Sequence, residues 1–111
     1  MAYDDELAQR IRSLVTGEPA LTEKRMFGGL AFLLHGNMAI AASREGGLIV
    51  RVAPAETQRL LETTPARPFE TRGRMMNGWL RVDGQHVATK RELTPWVRRG
   101  VAAATSLPPK G

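Results

Sequence analysis

Lys24-Arg25-Met26-Phe27-Gly28-Gly29-Leu30-Ala31-Phe32 is the stretch on which the architecture turns. Apolar residues stand on both sides of a glycine pair. Paired glycines permit positive φ, so the chain can reverse there within a few residues. A reversal makes Lys24 to Phe27 and Leu30 to Leu34 neighbouring strands, with Phe27 and Phe32 filling a core. Beyond it, His35-Gly36-Asn37 forms a second tight connection, into Met38 to Ala42. Arg44-Glu45-Gly46-Gly47 then leads into Leu48 to Val52. Three or four strands joined by such short loops must be antiparallel, because parallel neighbours need long crossovers. Leu48, Val50 and Val52 alternate with Ile49 and Arg51, and Ile49 suggests that this strand is covered on both faces.

Helical patterns flank the strands. Leu7, Ile11, Leu14 and Val15 form one apolar stripe of a helix over residues 4–16. Asp4, Asp5 and Glu6 sit where the helix dipole favours negative charge. Gly17 and Pro19 end this helix. Pro54 suits the first turn of a second helix anchored by Leu60 and Leu61 and stopped at Thr64-Pro65. Pro65-Ala66-Arg67-Pro68 reads as an irregular linker. Phe69 to Arg72 and Trp79 to Val82 follow as strands, around a glycine-bounded loop, Gly73-Arg74-Met75-Met76-Asn77-Gly78. Leu93, Trp96, Val97, Gly100, Val101 and Ala104 give the last helix the clearest stripe in the chain. Thr89-Lys90-Arg91-Glu92 matches a capping box, and Thr94-Pro95 is an alternative start. Leu107-Pro108-Pro109 ends that helix and begins a fraying tail.

The order is helix, three or four strands, helix, two strands, helix. It specifies an α+β fold: an antiparallel sheet with helices packed on one face. At 111 residues the chain fits one domain, expected over residues 1–107 with a tail at 108–111. A composition 42% hydrophobic and 24% charged is globular, not disordered. With no cysteine there is no disulfide scaffold, thiol nucleophile or cysteine metal site, and a reducing, cytoplasmic setting is expected. The acidic Met1-Ala2-Tyr3-Asp4-Asp5-Glu6 start has no signal-peptide pattern. The apolar run Leu30 to Leu34 is far shorter than the ~20 residues that span a bilayer.

Catalytic patterns are lacking. His35 and His86 have no second histidine at metal-ligand spacing. Ser13, Ser43 and Ser106 lack the glycine-flanked elbow of an acyl hydrolase. There is no P-loop, and Gly28-Gly29 is not a dinucleotide fingerprint. No catalytic residue, metal or cofactor is assigned.

The Lys24 to Gly29 block and the Gly73 to Trp79 segment resemble the N-terminal domain of the TfoX/Sxy family of bacterial competence regulators. The residues that carry the likeness are Lys24-Arg25-Met26-Phe27-Gly28-Gly29, the Leu-Ala-Phe that follows, and Gly78-Trp79-Leu80. It spans about residues 4–107. The resemblance implies a two-layer fold similar to secretion chaperones. It also implies a role in transcription, because full-length members act with the cyclic-AMP receptor protein to switch on competence genes. Those members carry a second, C-terminal helical domain that is not found in these residues, so a stand-alone first domain is expected.

Three functions are weighed. The first is a non-catalytic protein-binding or regulatory module, with a protein partner of cyclic-AMP receptor type. Its candidate surface comprises Lys24, Arg25, Met26, Phe27, Gly28, Gly29, Arg74, Met75, Met76, Gly78 and Trp79. The second is direct nucleic-acid binding, drawn from the net charge of +5, through Arg72, Arg74, Arg81, Arg98 and Arg99. The third is an enzyme or small-ligand protein with a pocket between sheet and helices. A monomer, or a homodimer through an uncovered sheet edge, fits each of them.

Overall fold

The computed structural model describes residues 4–26 and 28–109. Helix α1 covers Asp5–Val15. Strands β1 (Leu21–Met26), β2 (Gly29–Leu34), β3 (Asn37–Ala42) and β4 (Leu48–Arg51) follow. A single tight turn at Pro54–Glu56 runs into α2 (Thr57–Thr63). Strands β5 (Arg67–Thr71) and β6 (Arg74–Val82) and helix α3 (Lys90–Thr105) complete the fold. All six strands form one antiparallel sheet in the order β1-β2-β3-β4-β6-β5. The α+β class and its antiparallel sheet are those the sequence specified.

Local chemistry explains the elements. Asp4 caps α1, its carboxylate accepting from the Leu7 N–H at 3.1 Å. Thr89 caps α3 with a reciprocal box: its hydroxyl accepts from Glu92 N, and Glu92 accepts from Thr89 N. That settles the start of α3 and leaves Pro95 inside the helix. The β2–β3 and β5–β6 hairpins turn on His35-Gly36 and Arg72-Gly73. In both, the two turn residues have positive φ, which matches the twist of the flanking strands.

The core lies on one face of the sheet. Phe32, Ile40, Leu48, Val50, Leu80 and Val82 are fully buried there. They meet Leu7, Ile11 and Val15 of α1 and Leu93, Trp96 and Val97 of α3. Helix α3 lies on β3 and β4, and α1 packs against α3 and β3. Gly100 lets α3 approach closely, since a Cβ there would come 2.5 Å from the Ala39 carbonyl oxygen. Leu60 of α2 closes one end of the core. Arg12 of α1 grips Glu23 of β1 with two bonds of 2.6 and 2.7 Å, which holds the Glu23 carboxyl below its ordinary pKa. Ile49 and Arg51 point to the opposite sheet face, because side chains alternate along a strand, and both are half-buried.

Several boundaries differ from the sequence reading. The linker expected at Pro65 to Pro68 already belongs to β5 from Arg67 onward. Strand β1 ends at Met26, and Gly29, expected in the turn, is the first residue of β2. Asn37 is buried in β3, where its amide donates to the Pro108 carbonyl at 2.9 Å and ties down the segment after α3.

Candidate functional site: a cleft at a bulged strand

The stretch Gly73 to Gly78 is not a loop. From Arg74 onward it is strand β6, and Gly78 is buried within it at φ +88°. The pairing register shows why a glycine stands there. Pro68 faces Leu80, and Glu70 faces Met75. Four β6 residues, Met76 to Trp79, therefore stand opposite Phe69 alone, and β6 bulges away from β5. Bulges bend a strand and re-aim its side chains.

Neighbouring elements hold the bulge in place. The Gly78 N–H donates to the Thr57 hydroxyl of α2 at 3.1 Å, and its carbonyl accepts from Val52 N at 2.8 Å. Pro54 packs beside it, 3.4 Å from where a Cβ would stand. Replacing Thr57 by Val keeps the shape and removes the acceptor. A buried N–H without a partner costs about 1–2 kcal/mol. Thr57→Val is therefore expected to lower the urea-unfolding free energy by that amount and to speed exchange of the Gly78 amide. Unchanged values for both would show that the bulge does not depend on this bond.

Between bulge and helix lies an open cleft of about 170 Å³. Pro54, Thr57 and Leu61 form one wall, Pro68 another, and Met75, Met76 and Trp79 the third. Met75 is 58% exposed and Met76 39%. The Arg51 guanidinium lies 4.3 Å from the Trp79 ring centroid, and its Nε donates to the Met38 carbonyl at 2.7 Å. Partial burial lowers the Arg51 pKa from the ordinary guanidinium value, and a guanidinium so placed still carries its charge at neutral pH.

The two segments of the candidate surface lie at opposite ends of the sheet. Lys24, Arg25 and Met26 are on edge strand β1, while Arg74, Met75, Met76, Gly78 and Trp79 are on β6. Three strands intervene, a separation of about 19 Å at normal strand spacing. Lys24 and Arg25 are exposed and Met26 is half-buried. Gly28 sits in the turn and Gly29 is buried against β3. Phe27 lies outside the described residues.

The five arginines proposed for nucleic acid are dispersed as well. Arg72 and Arg74 are exposed at the β5–β6 hairpin tip. Arg81 is half-buried, bonded to Ser43 and Gly46 and paired with Glu45. It lies on the sheet face away from the helices, as strand alternation from Leu80 and Val82 requires. Arg98 and Arg99 are on α3, and Arg99 stacks on Trp96 at 4.6 Å. A second shallow depression, polar, contains Arg67, Arg81, Glu45, Glu70 and Asp83. Its charges are largely paired: Arg67 bonds Asp83 at 2.6 Å, which holds the Asp83 carboxyl below its ordinary pKa.

Among the described residues no group of three or more His, Asp or Glu side chains could hold a metal ion. None of the described helices is long and apolar enough to cross a membrane.

The sequence reading did not find Arg51, Pro54, Thr57, Leu61 or Pro68 as parts of a site. One available signal was the lone glycine within Arg74 to Val82, since a glycine inside a strand pattern marks a bulge.

A single antiparallel sheet under one helical layer, with a bulged strand opening a small apolar cleft, places the molecule among two-layer α+β domains. The chain belongs to the TfoX N-terminal domain family, whose pattern it matches over residues 13–104. No curated protein matches it.

Proposed function

We propose that this domain is a non-catalytic regulatory module that works by binding a protein partner in the transcriptional control of competence. The family supports this reading, since its name is that of a competence regulator. The observation that carries it is the pair of solvent-exposed methionines beside Trp79. Exposed large apolar side chains grouped at a cleft mark contact surfaces, and methionine adapts to irregular partners. A regulator of cyclic-AMP receptor type is the partner to test first.

The dispersed arginines favour this reading over direct nucleic-acid binding, which works best when cations line one face and track a phosphate backbone. The cleft of about 170 Å³ is smaller than small-ligand pockets, which run to about 300–1,000 Å³. The depression of about 490 Å³ beside Arg67 is shallow and lined by largely paired charges. Both favour this reading over a small-ligand protein. The test is transcript profiling in a transformable host with the gene deleted and restored. DNA-uptake transcripts are expected to fall several-fold on deletion and to recover on restoration. Transcripts that do not respond would overturn the proposal.

A further inference from the structure

We propose that the cleft behind the β6 bulge receives one bulky apolar side chain from an acidic segment of the partner. This rests on the regulatory-module reading and adds to it a surface and a ligand chemistry.

Size sets the first limit. An apolar cavity of about 150 Å³ accommodates a benzene ring. A cleft of about 170 Å³ therefore suits one phenylalanine- or leucine-sized group, not a cofactor. The lining sets the second. Met75, Met76, Trp79, Leu61 and Pro54 offer apolar surface in a place already shaped by the Thr57–Gly78 bond. A preorganised cleft loses less on binding than one that must be ordered first.

Charge decides the flanks of the segment. Arg51 lies over Trp79, and Arg72 and Arg74 stand exposed at the tip of the same hairpin. Of the nearby carboxylates, Glu56 is paired with Arg59, while Glu62 accepts from the neutral Gln58 amide and keeps its charge. Glu70 stands across from Met75. Three cations against these two carboxylates leave a positive balance that favours Asp and Glu on either side of the anchoring side chain.

The test is fluorescence anisotropy with the full chain and a labelled peptide holding one Phe between pairs of Asp and Glu. Saturable binding is expected. It should weaken about tenfold when the peptide's Phe becomes Ala, and about tenfold in the Met75→Ser, Met76→Ser double variant. Arg72→Ala with Arg74→Ala should weaken binding at low salt and flatten its salt dependence. All four residues are exposed, so circular dichroism should show each variant folded, and Met76→Leu should retain binding. Any of these outcomes would overturn the proposal: no binding up to about 1 mM, equal binding of the Ala peptide, equal binding by the methionine variant, full displacement by a short oligothymidylate, or a dimer that occupies the cleft.

The methionine double variant also enters the transcript assay. If it restores DNA-uptake transcripts as fully as the wild-type chain, the surface assignment fails and the regulatory reading stands. If the wild-type chain itself does not restore them, the regulatory reading fails.

Discussion

Phe32→Ala should cost about 4 kcal/mol of unfolding free energy, the largest loss expected from a single truncation in this chain. Phe32 is wholly buried on β2, in the core between the sheet and the helices. Truncation removes a ring's worth of transfer free energy and leaves a void that close-packed neighbours fill only in part. The void would also sit beneath the Arg12 guanidinium, which lies 6.0 Å from the ring centroid while Arg12 holds Glu23. Small domains have total stabilities of about 5–15 kcal/mol, so this one change would remove a third or more. Urea unfolding should show a lower midpoint with an unchanged slope, and the thermal midpoint should fall by roughly 15 °C. Phe32→Leu keeps most of the volume and should lose under about 1.5 kcal/mol. If alanine and leucine cost the same, the ring is not the centre of the core.

The elements of this core were legible because they are written locally. The α1 and α3 stripes recur at helical spacing, and Asp4 and Thr89 cap them by bonds to residues three positions away. Four of the strands lie between short, glycine-marked turns. The site was legible only in pieces. Exposure of Met75 and Met76 follows from their own segment, but the cleft beside them does not. It needs β6 to insert between β4 and β5, a neighbour order that no local pattern encodes. That insertion brings Arg51 onto Trp79 and Thr57 onto Gly78, partners 28 and 21 positions apart in sequence. Gly78 misled for a related reason. A glycine at the end of Arg74-Met75-Met76-Asn77 reads as a loop boundary until the register with β5 reveals a bulge. The same non-local order parts Arg25 and Met26 from Met75 and Met76, which sequence alone left free to share a patch.

Gly29→Val should cost about 3 kcal/mol and leave the surface chemistry of the Arg25 to Gly29 block untouched. A Cβ at Gly29 would press into the Ala42 carbonyl oxygen of β3, closer than a side chain tolerates. That oxygen is backbone in the strand next to β2 and cannot rotate away. Relief requires β2 and β3 to part where Leu30 pairs with Ala42, at the start of their ladder. Valine favours strands by at most about 1 kcal/mol, too little to offset this crowding. The urea midpoint should drop accordingly, and the thermal midpoint by roughly 12 °C. Arg25→Ala, at an exposed position of β1, should stay within about 0.5 kcal/mol of wild type. This contrast separates two readings of the block. If its glycines exist to let two strands meet, Gly29→Val destabilises the fold, and peptide binding at the distant β6 cleft persists in the molecules that remain folded. If the block is also an interaction surface, Arg25→Ala abolishes partner binding without touching stability.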